Sequence, residues 1–218
     1  SFVNDAPEFS SAGDGFGVFQ RAVSPSIPFA LLDDTVSVFP PDTLGVIGED
    51  NLDPFFGVTD TVNGDTAGPV TATWVFDVMG VDALELSIDM GAMGDFESAD
   101  QYLWEYAMDG GPFQTAFDLV ADEDSSLTYT LDSGTLVTLD DPLTVAGIVL
   151  TNDMRTVTTA LAGTGSQLTL RLTANTDGSE AVAFQNLNNN RTRSHEANQI
   201  LEERTLFVLG VEAFGIGL

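Results

Sequence analysis

Apolar and polar residues alternate with a period of two along much of this chain. In residues 71–78, 83–90 and 167–173 the apolar side chains occupy every second position, with charged or hydroxyl side chains mostly between them. Alternation over such lengths predicts β-strands that bury one face and expose the other. Further strands are predicted at residues 15–20, 35–39, 55–59, 101–108, 112–119, 126–131, 135–139, 155–161, 180–187 and 205–214.

Turn residues separate these segments. The Asp-Gly-Gly of residues 109–111 and the Asp-Ser-Gly of residues 132–134 predict β-hairpins, because Gly adopts a positive φ at little cost and Asp accepts local backbone hydrogen bonds. The polar run at residues 186–190 predicts a loop. One short helix is predicted near residues 194–204, with Ser194 as its cap.

Many short strands separated by turns predict an all-β fold. We expect an antiparallel, jelly-roll-like β-sandwich with a single short helix. At 218 residues, one large β domain is expected rather than two small ones. We assign residues 1–12 to a linker or N-terminal arm and residues 13–187 to the sandwich. Residues 188–218 are expected to hold a loop, the short helix and an apolar C-terminal strand.

The charge of the chain excludes several classes of protein. It carries 34 Asp and Glu against six Arg and no Lys, which gives a formal net charge of −28 and a pI of about 4.1. A nucleic-acid-binding protein needs a basic surface, and an anionic membrane would repel this one. There is no Cys, so disulfides and thiolate metal sites are excluded. The apolar runs are too short to insert into a bilayer.

Such acidity is expected of a secreted, extracellular or cell-surface protein in a saline medium. Salt would screen the exposed carboxylates, and divalent cations would neutralise clusters of them. The composition alone is equally consistent with salt adaptation and with calcium dependence.

Five short motifs resemble a known type of module. They are Ile-Pro-Phe-Ala-Leu-Leu-Asp-Asp at residues 27–34, Phe-Gly-Val-Thr-Asp at 56–60, Asp-Gly-Gly-Pro-Phe at 109–113, Ala-Gly-Thr-Gly-Ser at 162–166 and Glu-Ala-Val-Ala-Phe-Gln-Asn-Leu at 180–187. Together they resemble a jelly-roll-like β module that recurs in large secreted and surface proteins of marine bacteria, beside cadherin-like, Calx-β, lamin-tail and extracellular nuclease modules. The resemblance covers roughly residues 13–187. Gln185 departs from it, since such modules often have Asp there, at an implied metal ligand.

Calcium is the cofactor that the acidic loops predict. Ca²⁺ takes six to eight oxygen ligands from carboxylates, amides and backbone carbonyls. The competing interpretation is that a chain with 34 acids has acidic loops by chance. The resemblance implies ligands in the loops that follow two of its strands, at Asp60, Asp95, Glu97 and Asp100. The full set of candidate metal ligands is Asp60, Asp65, Asp95, Glu97, Asp100, Asp177 and Glu180.

Two other surfaces are candidates for binding. Tyr102, Trp104 and Tyr106 share one face of a predicted strand, which is either a platform for a polysaccharide or part of the core. The apolar C-terminal stretch is either the closing strand of the sheet or a segment for self-association by strand addition. Its candidate assembly residues are Phe207, Val208, Val211 and Phe214.

The motifs of common enzymes are missing. The single His, His195, is followed by no second metal-binding His, and there is no Gly-x-Ser-x-Gly elbow. We therefore expect a non-catalytic structural or adhesive module stabilised by calcium, which self-associates into fibres or layers or packs against neighbouring modules of the same polypeptide. The alternatives are a carbohydrate-binding module and an accessory domain of a secreted hydrolase.

Overall fold

The computed structural model describes residues 14–35, 43–62, 64, 66–81 and 83–187, together with the backbone of the strands at 2–4, 188–192 and 203–206. A single 3-10 turn covers Ala30–Leu32. The strands, in chain order, are β1 Phe2–Asn4, β2 Gly15–Phe19, β3 Phe55–Thr59, β4 Val70–Asp77, β5 Ala83–Gly94, β6 Gln101–Met108, β7 Gln114–Ala121, β8 Ser126–Thr130, β9 Leu136–Asp140, β10 Leu143–Val145, β11 Ile148–Val149, β12 Arg155–Leu161, β13 Gln167–Asn175, β14 Glu180–Thr192 and β15 Glu203–Leu206.

These strands form two large sheets and one separate hairpin. The first sheet has the order β1-β4-β13-β6-β7-β10-β11, and the second has the order β12-β5-β14-β3-β2, with β15 also paired to β14. Strands β8 and β9 pair only with each other among the described residues. Every pairing between the described strands is antiparallel. The all-β, sandwich-like fold expected from the alternating pattern is confirmed.

The main core lies between the two sheets. Each of the three best alternating segments turns its apolar face inwards, so that the side chains of β4, β5 and β13 meet there. Trp104 of β6 occupies the centre, with its ring stacked 5.3 Å from Trp74 and edge-on to Phe184 at 5.2 Å. Offset and edge-on ring contacts of this kind stabilise a core beyond the area that they bury.

A second apolar cluster covers the outer face of the second sheet. The 3-10 turn, residues 46–47 and the β8–β9 hairpin pack there against Phe55, Met93, Ala181 and Ala183. Residues 181–184 of β14 are therefore buried on both faces, which explains their unbroken Ala-Val-Ala-Phe run.

The hairpins at residues 109–111 and 132–134 form as predicted. Asp109 and Gly110 both have positive φ between β6 and β7, and Gly134 has φ 79° between β8 and β9. Strand lengths were less well predicted, since β5 and β14 each continue beyond the expected end. Strands β10 and β11 were missed, because three and two residues are too short to show a period.

Two predictions near the C-terminus were wrong. Residues 188–190 were expected in a loop, yet they belong to β14 and pair with β5 after a register shift between Gln185 and Asn188. Strand pairing on both sides supplies backbone hydrogen bonds that a propensity scale for Asn does not include. Residues 203 and 204 were expected at the end of a helix, yet they belong to β15. The rest of that predicted helix, residues 194–202, lies outside the described residues.

No helix in the part of the chain that the structure describes is long and apolar enough to cross a membrane.

Candidate metal centre

One wall of the candidate centre is the loop between β5 and β6. Phe96 is completely buried in this loop and meets the ring of Tyr102 edge-on at 6.0 Å. Because Phe96 anchors the loop in the core, the acidic residues on either side of it are held at the sheet end. The backbone N–H of Glu97 donates to Asp100 Oδ2 at 2.9 Å, and the backbone N–H of Asp100 donates to the Glu97 carbonyl at 2.9 Å.

The other wall is the turn between β13 and β14, which carries Asp177 and places Glu180 at the first position of β14. There Glu180 lies opposite Gly94, the last residue of β5. A Cβ atom on Gly94 would lie 2.8 Å from the Glu180 Cα atom. This close approach requires Gly, since no side chain fits between the two backbones.

The two walls bring three carboxylates together. Glu97, Asp100 and Glu180 each offer one oxygen, and these oxygens lie within 4.8 Å of one another. The group lies at one end of the sandwich, where the β5–β6 loop meets the β13–β14 turn. Three carboxylate oxygens this close repel one another unless protons or a cation neutralise them.

Glu180 is the most unusual member of the group. Its side chain is 0% exposed. Its Oε2 atom accepts hydrogen bonds from Thr176 Oγ1 at 2.9 Å and from the Ser179 backbone N–H at 3.3 Å. Its Oε1 atom is also buried and has no hydrogen-bond partner among the described residues. An unpartnered buried carboxylate oxygen is costly, and it is the kind of atom that binds a metal ion.

The electrostatics of the group follow from this crowding. Burial, reinforced by the charge of Asp100, raises the pKa of Glu180 to about 9. Burial, followed by the charges of Asp100 and Asp177, raises the pKa of Glu97 to about 7. The pKa of Asp100 is also raised, chiefly by burial, although hydrogen bonds from Glu97 oppose the shift. All three shifts mean that the protein disfavours the ionised carboxylates when no cation is present.

Asp177 and Asp60 lie beside the group. The charge of Asp177 contributes to the raised pKa values of all three members, so it is close enough to act on a cation there. Asp60, with φ 40°, has a pKa raised to about 6 by burial and by the carboxyl of Asp14. A Cβ atom on Gly178 would lie 3.2 Å from Asp60 Oδ2, so Asp60 contacts the same turn.

The structure therefore brings together only some of the candidate metal ligands. Glu97, Asp100 and Glu180 form the centre, with Asp177 and Asp60 beside it. Asp95 does not belong to the group of three. Its charge acts on Glu97 and on Asp141. Asp65 lies outside the described residues. Asp14, a buried side chain that precedes β2, was not predicted, because it belongs to no acidic run in the sequence.

The aromatic platform was a wrong alternative. Tyr102, Trp104 and Tyr106 are 0%, 0% and 4% exposed, so they form the core and offer no surface to a sugar. Their strand lies in the middle of the first sheet, between β13 and β7, and its aromatic face points at the second sheet. The proposed assembly residues Phe207, Val208, Val211 and Phe214 lie outside the described residues.

A second acidic region differs from the candidate metal centre, because its polar side chains hydrogen-bond within the protein. A cleft of about 460 Å³ is lined by Asp34, Asp132, Gln185 and other polar residues. Gln185 Nε2 donates to Asn51 Oδ1 at 2.8 Å, and Asn51 Nδ2 donates back to Gln185 Oε1 at 3.2 Å. Asp132 Oδ2 accepts from the Glu49 backbone N–H at 2.7 Å. These polar atoms satisfy one another within the protein.

Comparison with known proteins adds no identification. No protein-family model matches the chain, and no curated protein matches it. The resemblance to modules of marine bacterial surface proteins therefore stays a prediction.

Proposed function

We propose that this chain is a non-catalytic extracellular module, structural or adhesive in role, whose β-sandwich is stabilised by a calcium ion bound between Glu97, Asp100 and Glu180. The observation that carries the proposal is the buried Glu180 Oε1 atom, which has no hydrogen-bond partner in the described part of the chain and belongs to a group of three close carboxylates. Hard oxygen ligands of this kind suit Ca²⁺.

A cation fits this centre better than a substrate does. The neighbouring cleft of about 540 Å³ is lined by Asp100 but not by Glu97 or Glu180. Since Glu180 is completely buried, a sugar or peptide cannot reach its carboxyl group. An ion would be held between this carboxyl group and those of the exposed Glu97 and the half-buried Asp100. The burial of Glu180 argues against a pair of catalytic carboxylates, which must contact the bond that is broken.

Stabilisation would follow from charge neutralisation and from the position of the ligands. Glu97 and Asp100 lie in the β5–β6 loop, and Glu180 begins β14, so one ion would join two segments that are far apart in sequence. If the ion binds only the folded state, a free ion concentration of about 100 times the Kd adds about 2.7 kcal/mol to the free energy of unfolding. In a domain of this size that corresponds to a rise in Tm of roughly 5–10 °C.

The extracellular part of the proposal is supported by composition. A net charge of −28 with no Cys suits a saline medium in which calcium is abundant. Extracellular calcium modules typically bind with Kd values of about 0.1–1 mM. Self-association, or packing against neighbouring modules of the same polypeptide, is part of the same proposal and is tested by the elution volume of the chain in calcium.

The test is thermal unfolding in about 0.5 M NaCl, a concentration that screens non-specific surface effects, with excess Ca²⁺ or with EDTA. We expect Ca²⁺ to raise the Tm of the wild type and to have little effect on Glu180→Gln, which keeps the shape of the side chain and removes its charge. Glu49→Gln is the matched control, because Glu49 is exposed and its backbone N–H binds Asp132 in the second cleft, whose lining includes none of the three carboxylates. Equal Tm values in Ca²⁺ and EDTA for the wild type would overturn the proposal.

A further inference from the structure

A chain of hydrogen bonds connects the core to the candidate metal centre. Tyr102 donates its hydroxyl proton to Thr176 Oγ1 at 2.7 Å, and Thr176 Oγ1 donates to Glu180 Oε2 at 2.9 Å. All three side chains are buried, with exposures of 0%, 1% and 0%. We propose that Tyr102 and Thr176 are positioning residues, which hold Oε2 of Glu180 and thereby direct its Oε1 atom at the cation. This inference rests on the proposed function.

The direction of these hydrogen bonds follows from the number of hydroxyl protons available. A hydroxyl group donates one hydrogen bond and accepts others. Because Tyr102 uses its only proton on Thr176, the proton of Thr176 is left for Glu180. The Glu180 carboxylate has no proton to give when ionised, so it accepts at the end of the chain. Each bond strengthens the next by polarising it.

The residues that form this chain of hydrogen bonds are themselves held in place. Tyr102 is in β6, in the middle of the first sheet, and its ring contacts that of Phe96. The Thr176 backbone is held by Thr61, whose Oγ1 atom accepts from the Thr176 backbone N–H at 3.0 Å. The Glu180 side chain is therefore ordered before a cation arrives, which lowers the entropic cost of binding.

The two oxygens of Glu180 thus have different tasks. Oε2 accepts two hydrogen bonds from the protein, and Oε1 accepts none among the described residues. A carboxylate with both oxygens free could rotate or bind the ion through either oxygen. With Oε2 held, Oε1 is the atom that remains for the ion.

The test compares two substitutions that each remove one buried tyrosine hydroxyl from the same face of β6. Tyr102→Phe removes the first hydrogen bond of the chain that leads to Glu180. Tyr106→Phe is the matched control, since the Tyr106 hydroxyl accepts from the Ala162 backbone N–H at 2.9 Å and donates to Gln114 Oε1 at 3.4 Å, away from the centre. Ca²⁺ affinity is measured by calorimetry, and the Tm in EDTA records the effect on the fold alone.

We expect Tyr102→Phe to weaken Ca²⁺ binding by about threefold to tenfold, the worth of one hydrogen bond, and Tyr106→Phe to leave the affinity unchanged. Thr176→Val should weaken binding at least as much, and Thr176→Ser, which keeps the hydroxyl, should restore it. The Thr176 pair also keeps the inference testable if Tyr102→Phe does not fold.

Each result has a definite meaning. Wild-type affinity in both Tyr102→Phe and Thr176→Val would overturn the positioning role and leave the calcium site standing. An equal loss in Tyr106→Phe would also overturn it, because the effect would then belong to the core in general. No Ca²⁺ binding by the wild type would overturn the proposed function and the positioning role together.

Discussion

The stability of the cation-free protein should fall as the pH rises, and Glu180 should be a main cause. The pKa of Glu180 is about 9 in the folded protein, against 4.5 for a free glutamate side chain. A group whose pKa is raised by folding stabilises the fold fully below its unfolded pKa, and this contribution is lost as the pH rises towards the folded value. The loss therefore spans the range from about pH 4.5 to about pH 9.

The magnitude follows from the same shift. Each pH unit within this range costs about 1.4 kcal/mol for one group. Between about pH 5.5 and pH 8.5 the loss from Glu180 is then of the order of 4 kcal/mol. This is a large part of the roughly 5–15 kcal/mol by which a domain is stable. Glu97 and Asp60, with pKa values raised to about 7 and about 6, act in the same direction.

The assay is urea unfolding in EDTA at fixed ionic strength across this pH range, for the wild type and for Glu180→Gln. We expect Glu180→Gln to become the more stable of the two as the pH rises, with the difference growing by about 4 kcal/mol. Glu49→Gln controls for the loss of one negative charge. A difference between wild type and Glu180→Gln that stays constant with pH would refute the argument. Added Ca²⁺ should reduce this difference above pH 7, because the ion binds the ionised carboxylates of the wild type.

Four further predictions concern the scaffold and its buried aromatic residues. Gly94→Ala should destabilise the fold by about 1–3 kcal/mol and weaken Ca²⁺ binding in calorimetry, because the added Cβ atom would lie 2.8 Å from Glu180 Cα. Gly64→Ala is the control, because Gly64 has open space around it, and an equal effect there would contradict the prediction. Trp104→Ala should cost about 3–5 kcal/mol in urea unfolding. Neutral polysaccharides should leave wild-type tryptophan fluorescence unchanged, since Trp74 and Trp104 are both buried. Arg21→Ala should cost about 3–5 kcal/mol in the same assay, because it leaves Asp33, its partner at 2.8 Å, buried without a counter-charge; a loss below 1 kcal/mol would contradict the role of this pair.

Several features of the fold could be predicted from local sequence. The period of two in β4, β5 and β13 gave the strands and their buried faces, because a half-buried strand must place its apolar residues on one side. The two hairpins followed from Gly and Asp at their turns. Strand ends were less predictable, since β14 continues through an Asn-rich run only because β5 and β15 pair with it there.

Part of the candidate centre could also be predicted. The acidic loops were visible in the sequence, and they offered the carboxylate oxygens that calcium takes as ligands. That Glu97 and Asp100 should lie near each other follows from their spacing. Their proximity to Glu180 does not, because it depends on the pairing of β5 with β14, in which Gly94 lies opposite Glu180.

The sequence by itself determined the fold class, the inward faces of the strands and the net charge of −28. The tertiary structure alone decided which carboxylates meet and which aromatic residues are core. It buried Glu180, left one of its oxygens without a partner among the described residues, and joined the other through Thr176 to Tyr102. The physical reason is that burial and long-range pairing depend on contacts between segments far apart in the chain, and no local pattern contains them.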